Sequence, residues 1–299
     1  MSKKRHKLRK PQSQMRRQKG MTPTALVDIV MLVFGEWALL EQAIKTVEAA
    51  CLGIVEGYRI IVVDNGTPAW RNNEGKMLSP EEQAIRVKQL LRSQDGFYRI
   101  EENQGYPGGI NFGVSKGRSP LILIWTADVT MVPGSILEMV KTMDDPKVGV
   151  VGPKLLFPSD SSPHGPPGTV QHAGISFNIE GNPFHPLLGW KADHPKANIS
   201  KEIQAVTGAI FLTRRSLWND IGGFWTGYGR GTFEDMEYCF YARQKGYKVI
   251  YLPAAWGTHH VGGSMVQGAE QRGFALPINA SLFRGRWGES LAWDEWRFW

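Results

Sequence analysis

The sequence predicts an α/β protein with a central, mostly parallel sheet and helices on both of its faces. From Val27 onward, compact apolar runs of strand length alternate with longer stretches of helical period. The runs are near-continuous in apolar residues, as strands buried on both sides are. Turn residues mark several of the joints. Val27–Phe34 reads as the first strand; the Asp28 inside it and its short length set it apart from a membrane span or a signal peptide. Glu36–Cys51 places Leu39, Leu40, Ala43, Ile44 and Val47 on one helical face. Tyr58–Val63 is a second strand running into the turn Asp64-Asn65-Gly66. Pro80–Leu91 reads as a helix capped by Ser79, with Pro80 at its first position. Phe97–Glu101 is a short strand, Gly108–Lys116 a helix, and Leu121–Trp125 a buried strand. Farther on, the Pro/Gly-rich segments Pro158–Gly168 and Gly181–Pro195 read as surface excursions around an added, smaller mixed-sheet region. No internal repeat is present.

The chain has 299 residues, 42% hydrophobic and 21% charged, ordinary for a globular protein with one large core or two small ones. No run approaches the roughly 18 apolar residues of a membrane-spanning helix. Cys51 and Cys239 are the only cysteines, too few for a disulfide framework, so a reducing, cytoplasmic setting is expected. The net charge of +7 is unevenly placed: residues 1–20 hold nine Lys or Arg and no acid, and without them the net charge is −2. A block of like charge repels itself and is expected to be a disordered basic arm. Two readings of the arm stay open, a solvated terminus and a segment that tracks phosphates on nucleic acid or anionic lipid. The second would make the protein peripheral to one of those surfaces.

Ligands of open α/β sheets sit beyond the carboxyl ends of the strands. Asp64, Asn103 and Asp128 fall at three expected strand ends, so a parallel sheet would bring them to one edge. Each has a plainer role open to it: shaping the Asn-Gly turn, capping a turn, or capping a helix near Pro133. The run NQGYPGGINFG matches neither G-x-G-x-x-G nor G-x-x-x-x-G-K-[ST], which argues against a nicotinamide or flavin enzyme. Its Gly108 and Gly109 allow a close approach of backbone to a ligand, or of helix to sheet. Glu234 and Asp235 stand together at an expected helix start, after a loop holding Gly227, Gly229 and Gly231. Such a loop suits an enzyme that delivers a carboxylate to a reacting hydroxyl; the alternative is a capping box between Thr232 and Asp235.

Six pieces in order, from about Val27 to Ser264, resemble family 2 glycosyltransferases of the GT-A fold, rhamnosyltransferase-like members in particular. IIVVDNGT is similar to the second-strand motif whose acid meets the nucleotide base, and Asp64 matches it. NQGYPGGINFG resembles an Asn-x-Gly-x-x-Gly-Gly-x-Asn run, matched by Asn103, Gly108, Gly109 and Asn111. ILIWTADV falls where the family carries its Asp-x-Asp element; Asp128 matches, while Thr126 replaces the first acid. TGAIFLTRRSLWNDIGGF resembles the strand that ends the donor pocket. FEDMEYCFYARQKGYKV resembles the motif of the catalytic base, which falls on Asp235 with Glu234 beside it. HHVGGS is similar to the late histidine element, His259 fitting it, with His260 the alternative.

The resemblance implies an inverting transfer of a hexosyl or deoxyhexosyl group from a nucleotide-diphosphate-sugar to a hydroxyl. It implies Mn²⁺ or Mg²⁺ held by Asp128 and His259, and a donor site that includes Asp64, Asn103, Gly108, Gly109, Asn111 and Asp128. Trp225, Tyr228 and Arg230, in the loop before the acid pair, are candidates to meet sugar, base or phosphate, or to pack the loop. The expected organisation is an arm at 1–20, a catalytic domain at 21–265 and a Trp-rich extension at 266–299. The extension, with Trp287, Trp293, Trp296 and Trp299, reads as a core cover or an oligomer contact. The family's acceptors are mostly lipid-linked glycans or polysaccharides. The arm keeps a second acceptor open, a hydroxylated base in DNA, and the missing first acid keeps open a non-catalytic nucleotide-sugar-binding module.

Overall fold

The computed structural model describes residues 25–71, 75–159, 164–260 and 276–294. The basic arm, Trp296 and Trp299 lie outside them. In chain order the elements are β1 (Val27–Val33), α1 (Trp37–Ala50), β2 (Tyr58–Asn65), β3 (Trp70–Arg71), β4 (Met77–Leu78), α2 (Pro80–Leu90), β5 (Gly96–Ile100) and α3 (Gly105–Ser115). There follow β6 (Leu121–Trp125), β7 (Val129–Met131), α4 (Ser135–Thr142), β8 (Val148–Leu156), β9 (Val170–His172), β10 (Ser176–Phe177) and β11 (Pro183–Phe184). The last are β12 (Lys201–Glu202), β13 (Ile210–Arg214), α5 (Arg215–Ile221), α6 (Glu234–Gln244), β14 (Lys248–His259) and α7 (Leu276–Trp287).

One sheet of ten strands organises the chain, with β12-β14-β8-β13-β6-β1-β2-β5 side by side, β7 on β14 and β9 on β8. β5, β2, β1 and β6 pair in parallel. β13 runs antiparallel between β6 and β8, which restores the first direction in β8, and β14 is parallel to β8. The mixed region is therefore a continuation of the same sheet. Val30, Ile61, Val63, Ile122 and Ile124 face a core shared with α3, α5 and α6. Ile29, Met31, Ile60, Val62 and Leu123 face one shared with α1 and α4. This is the period-two alternation of a strand buried on both sides.

Local chemistry sets the boundaries. Ser79 Oγ accepts from Glu82 N, and the Glu82 carboxylate accepts from Ser79 N, closing a capping box around Pro80. α3 starts at Gly105, three residues earlier than expected. Gly105 has φ +75°, and a side chain there would meet Gly229 O at 2.3 Å, so only glycine admits the turn. Pro107 then falls in the first turn, where its missing N–H has no helical partner to lose. The second strand runs two residues past Val63, through Asp64 and Asn65. The segment at 181–195 is not simply a surface excursion: Leu187 is 1% exposed and His185 reaches the cleft described below.

The described part of the C-terminal extension packs into the same core. Phe283 stacks on Phe177, and Trp287 packs on Phe240 and Tyr241, as a core cover does. Trp293 is 53% exposed. Cys51 and Cys239 are both free thiols in the core. No helix among the described residues is long and apolar enough to cross a membrane.

At the amino ends of the strands, Asp28 is buried and joins three elements. It accepts from Ser119 N at 2.7 Å and Ser119 Oγ at 2.9 Å, and pairs with Arg215 Nη2 at 2.8 Å. Removing one partner of a buried pair strands the other charge. Asp28→Ala should lower unfolding stability by about 3–5 kcal/mol, read as a lower urea midpoint at unchanged slope.

Candidate functional site

A cleft of about 460 Å³ opens at the carboxyl ends of β1, β2 and β6, closed on its far side by residues 207–209 before β13 and by the start of α6. It is lined by Asp128, Glu234, Asp235, His259, Asn103 and Arg230 among others, so the sequence's widely separated candidates share one cleft.

Glu234 and Asp235 open α6, behind a backbone that L-residues rarely adopt. Thr232 has φ +81° and Phe233 φ +74°, at a cost of order 1–3 kcal/mol each. Phe233 occupies the cap position with no side-chain hydrogen bond, so the alternative role, a Thr232–Asp235 capping box, is not formed. Asp235 instead accepts from Gly208 N at 2.6 Å and from Met236 N at 2.8 Å. Glu234 is 5% exposed, and its Oε2 is buried with no hydrogen-bond partner. Burial raises both carboxyls above the ordinary range, and the Asp235 charge raises Glu234 further. The pair resists carrying two charges, and the N–H donors around Asp235 assign the first charge to it.

Asp128 follows β6. Its Oδ1 accepts from Thr126 Oγ1 at 2.7 Å and lies 3.5 Å from His259 Nε2. The β7–β14 ladder, with Val129 opposite His259, sets that spacing, and His260 N donates to Asp128 O at 2.9 Å. Burial pushes the Asp128 carboxyl up, but His259 and the Thr126 hydroxyl outweigh it and hold it below its usual range. Gln171 Oε1 lies 3.3 Å from His259 Nδ1 and orients the ring. One carboxylate oxygen and one imidazole nitrogen fit a hard divalent cation whose other ligands are phosphate oxygens and water. No group of three or more such side chains is present among the described residues.

The remaining candidates divide. Asn103 lines the cleft, and Asn65, which the sequence reading passed over, joins it there: Asn65 Nδ2 donates to Asn103 Oδ1 at 3.2 Å and to Gly105 O at 3.0 Å. Asp64 does not line the cleft. It is 1% exposed, ion-paired with Arg99, and accepts from Thr67 N. Adjacent strand residues face opposite sides, so Asn65 takes the cleft side and Asp64 the other. Gly109 admits the close packing of α3 on β1, since a side chain would meet Leu32 at 2.5 Å; at Gly108 one would meet Gln104 at 2.9 Å. Asn111 holds the Gly-Phe turn, donating to Phe224 O and accepting from Phe224 N. Of the loop residues, Arg230 lines the cleft and donates to Asn103 O at 2.7 Å. Tyr228 is buried and donates to Glu237, and Trp225 packs against Tyr228 with the Arg286 guanidinium over its ring.

Two further residues lining the cleft, and a third buried behind them, carried no legible signal. Tyr106 donates to Gly208 O at 2.5 Å, bracing the residue that donates to Asp235. His185 lines the wall, its Nδ1 3.0 Å from Nδ1 of the fully buried His172. Burial lowers both rings, His185 to about 4, so both are neutral near pH 7.

The Glycosyl transferase family 2 model matches residues 28–222. The chain is similar to protein y4gI of Sinorhizobium fredii, 25% identical over 249 residues, 82% of this chain and 25% of that one. It is also similar to the O-antigen biosynthesis protein RfbC of Myxococcus xanthus, 29% identical over 182 residues, 58% of this chain and 13% of that one. A third relative is the undecaprenyl-phosphate 4-deoxy-4-formamido-L-arabinose transferase of Pseudomonas aeruginosa, 27% identical over 123 residues, 40% of this chain and 32% of that one. The chain thus spans a third or less of these relatives. Among solved structures it resembles GalNAc-T7 with UDP, GalNAc and Mn²⁺ (TM-score 0.60, 15% identity, 79% of this chain and 44% of that one). It also resembles the mannosyltransferase PcManGT from Pyrobaculum calidifontis in complex with GDP-Man and Mn²⁺ (TM-score 0.53, 13% identity, 87% and 70%). These likenesses show the GT-A fold.

The raised carboxyls have a consequence for stability. A folded-state pKa above the unfolded one means the native state binds more protons, so stability falls as pH rises from the unfolded value through the folded one. Glutamine copies the protonated form of Glu234. Glu234→Gln should therefore flatten the fall in urea midpoint that the wild type shows from pH 5 upward; an unaltered fall would place the stored proton elsewhere.

Proposed function

The chain belongs to glycosyl transferase family 2, and on that footing we propose that it transfers a sugar from a nucleotide-diphosphate donor to an acceptor hydroxyl with inversion at the anomeric carbon. One observation carries this reading: a buried carboxylate pair and the Asp128–His259 pair line the same cleft.

In the proposed mechanism Asp235 is the general base. Its two N–H contacts fix the carboxylate and favour its charged form, while burial keeps its basicity above that of a solvated aspartate. It takes the acceptor proton as the hydroxyl oxygen attacks the anomeric carbon, on the face opposite the departing diphosphate. Glu234, whose ionisation is opposed by the Asp235 charge, retains its proton and keeps the pair at a single charge. Asn103, with its Oδ1 held by Asn65, offers its amide N–H groups to the nucleoside side of the donor, and Arg230 offers a guanidinium to its phosphates. Asp128 and His259 would hold Mn²⁺ or Mg²⁺, which supplies positive charge against the leaving diphosphate. A stretch of nine basic residues in 1–20 favours an acceptor that is polyanionic, a nucleic acid or a phosphate-bearing glycan carrier.

Asp235→Asn should lower kcat by about 10²–10⁴-fold while leaving donor affinity, read by calorimetry, nearly unchanged. Near-wild-type turnover would remove Asp235 from the mechanism. Asp128→Asn should instead raise the MnCl₂ concentration needed for half-maximal activity by about tenfold or more. Deleting residues 1–20 should flatten the dependence of acceptor binding on salt; an unchanged slope would exclude the arm from acceptor capture.

A further inference from the structure

The backbone that presents the carboxylate pair is held in place by α7, far along the chain. Asn279 of α7 is 3% exposed. Its Nδ2 lies 3.0 Å from Tyr228 O, 2.8 Å from Gly231 O and 3.0 Å from Thr232 Oγ1. An amide nitrogen has two hydrogens, and the two carbonyls bracket the turn 229–231 that leads into Thr232 and Phe233. Gly229, Gly231, Thr232 and Phe233 all have positive φ, the last two against the preference of L-residues. Such a run persists only where its surroundings over-determine it. A second contact from the same helix reinforces the first: Arg286 donates to both oxygens of buried Glu237, at 3.1 and 2.7 Å, and Tyr228 donates to that carboxylate as well. On the opposite side the loop rests on α3, where Tyr106 N donates to Arg230 O at 2.9 Å.

We propose that Asn279 is a positioning residue for transfer: by donating to the carbonyls of Tyr228 and Gly231 it locks the left-handed turn that aims Glu234 and Asp235 into the cleft. This rests on the reading of Asp235 as the base. Asn279 touches no substrate; it acts through the loop. The family match ends at residue 222, so the loop, the acid pair and α7 all lie beyond the matched stretch.

The test uses the full chain with Asn279→Ala, Thr232→Gly, the two combined, and Asp235→Asn. Amide hydrogen exchange over 229–235 is followed, with thermal unfolding, and with kcat and KM for nucleotide release from the best-turned-over member of a panel of UDP-, GDP- and dTDP-sugars in MnCl₂. In Asn279→Ala, exchange should rise locally in 229–235. kcat should fall about 10–100-fold with donor KM within about twofold, as expected of a displaced catalytic group. Glycine adopts positive φ without steric cost, so in the Asn279→Ala background Thr232→Gly should recover part of the lost kcat relative to Thr232→Gly alone. Exchange that rises evenly over the molecule, or a kcat that is unchanged or not recovered by glycine, overturns the proposal. If no donor in the panel turns over, local exchange alone decides: a rise confined to 229–235 supports the lock and its absence ends it. Wild-type turnover in Asp235→Asn would refute the base assignment separately, with the lock still judged by exchange.

Discussion

Burying two adjacent carboxyl groups at the head of a helix is the constraint around which the site is arranged. Desolvation penalises each charge, and proximity penalises the second. The fold answers with two backbone N–H groups on Asp235, with the positive end of α6, and with a single charge shared by the pair. Those answers make geometric demands. Gly208 must approach Asp235 closely, its missing side chain leaving room where a Cβ would stand 3.1 Å from Asp235 Cβ. Tyr106 must hold Gly208, and the loop before α6 must turn through positive φ at two non-glycine residues.

The sheet supplies the opposite wall by direction alone. Because β1, β2 and β6 run parallel, their ends deliver Phe34, Asn65 and Asp128 to one edge. β14 returns along β8 and brings His259 against β7, so the acid and the imidazole meet from strands far apart in the chain. Asp28 and Arg215 tie the other end of the same strands, away from the cleft. Anchoring and chemistry thus occupy opposite edges of one sheet.

Much of this was legible in the chain. Between Val27 and Trp125 hydrophobic period located the main strands and helices to within a few residues, and Ser79-Pro80 announced its capped helix outright; the short strands β3 and β4 and most elements after β6 were not bounded this way. The gathering of Asp128, Asp235 and His259 followed from strand direction and motif order. What failed to show was side-chain facing. Nothing in Asp64-Asn65 says which residue meets the cleft when the strand continues through both. Contacts made across long sequence separations were equally silent. Tyr106 reaches Gly208, Asn279 reaches Tyr228, and His172 meets His185 only because the tertiary fold brings them together. Local pattern carries no record of such meetings.

The neutral histidines give the wall an electrical character. Thr207 N–H lies 3.4 Å from His172 Nε2, which leaves the ring's proton on Nδ1, directed at Nδ1 of His185. With both rings uncharged, Arg230 is the one permanent cation among the described residues lining the cleft, against Glu36, Asp128 and the acid pair. A bare dianion approaching this vestibule meets like charge, whereas a diphosphate that already chelates a divalent ion arrives nearly neutral. On the proposed reading of the site, this balance of charge would favour a diphosphate donor that arrives with its cation already bound, before any group-specific recognition begins.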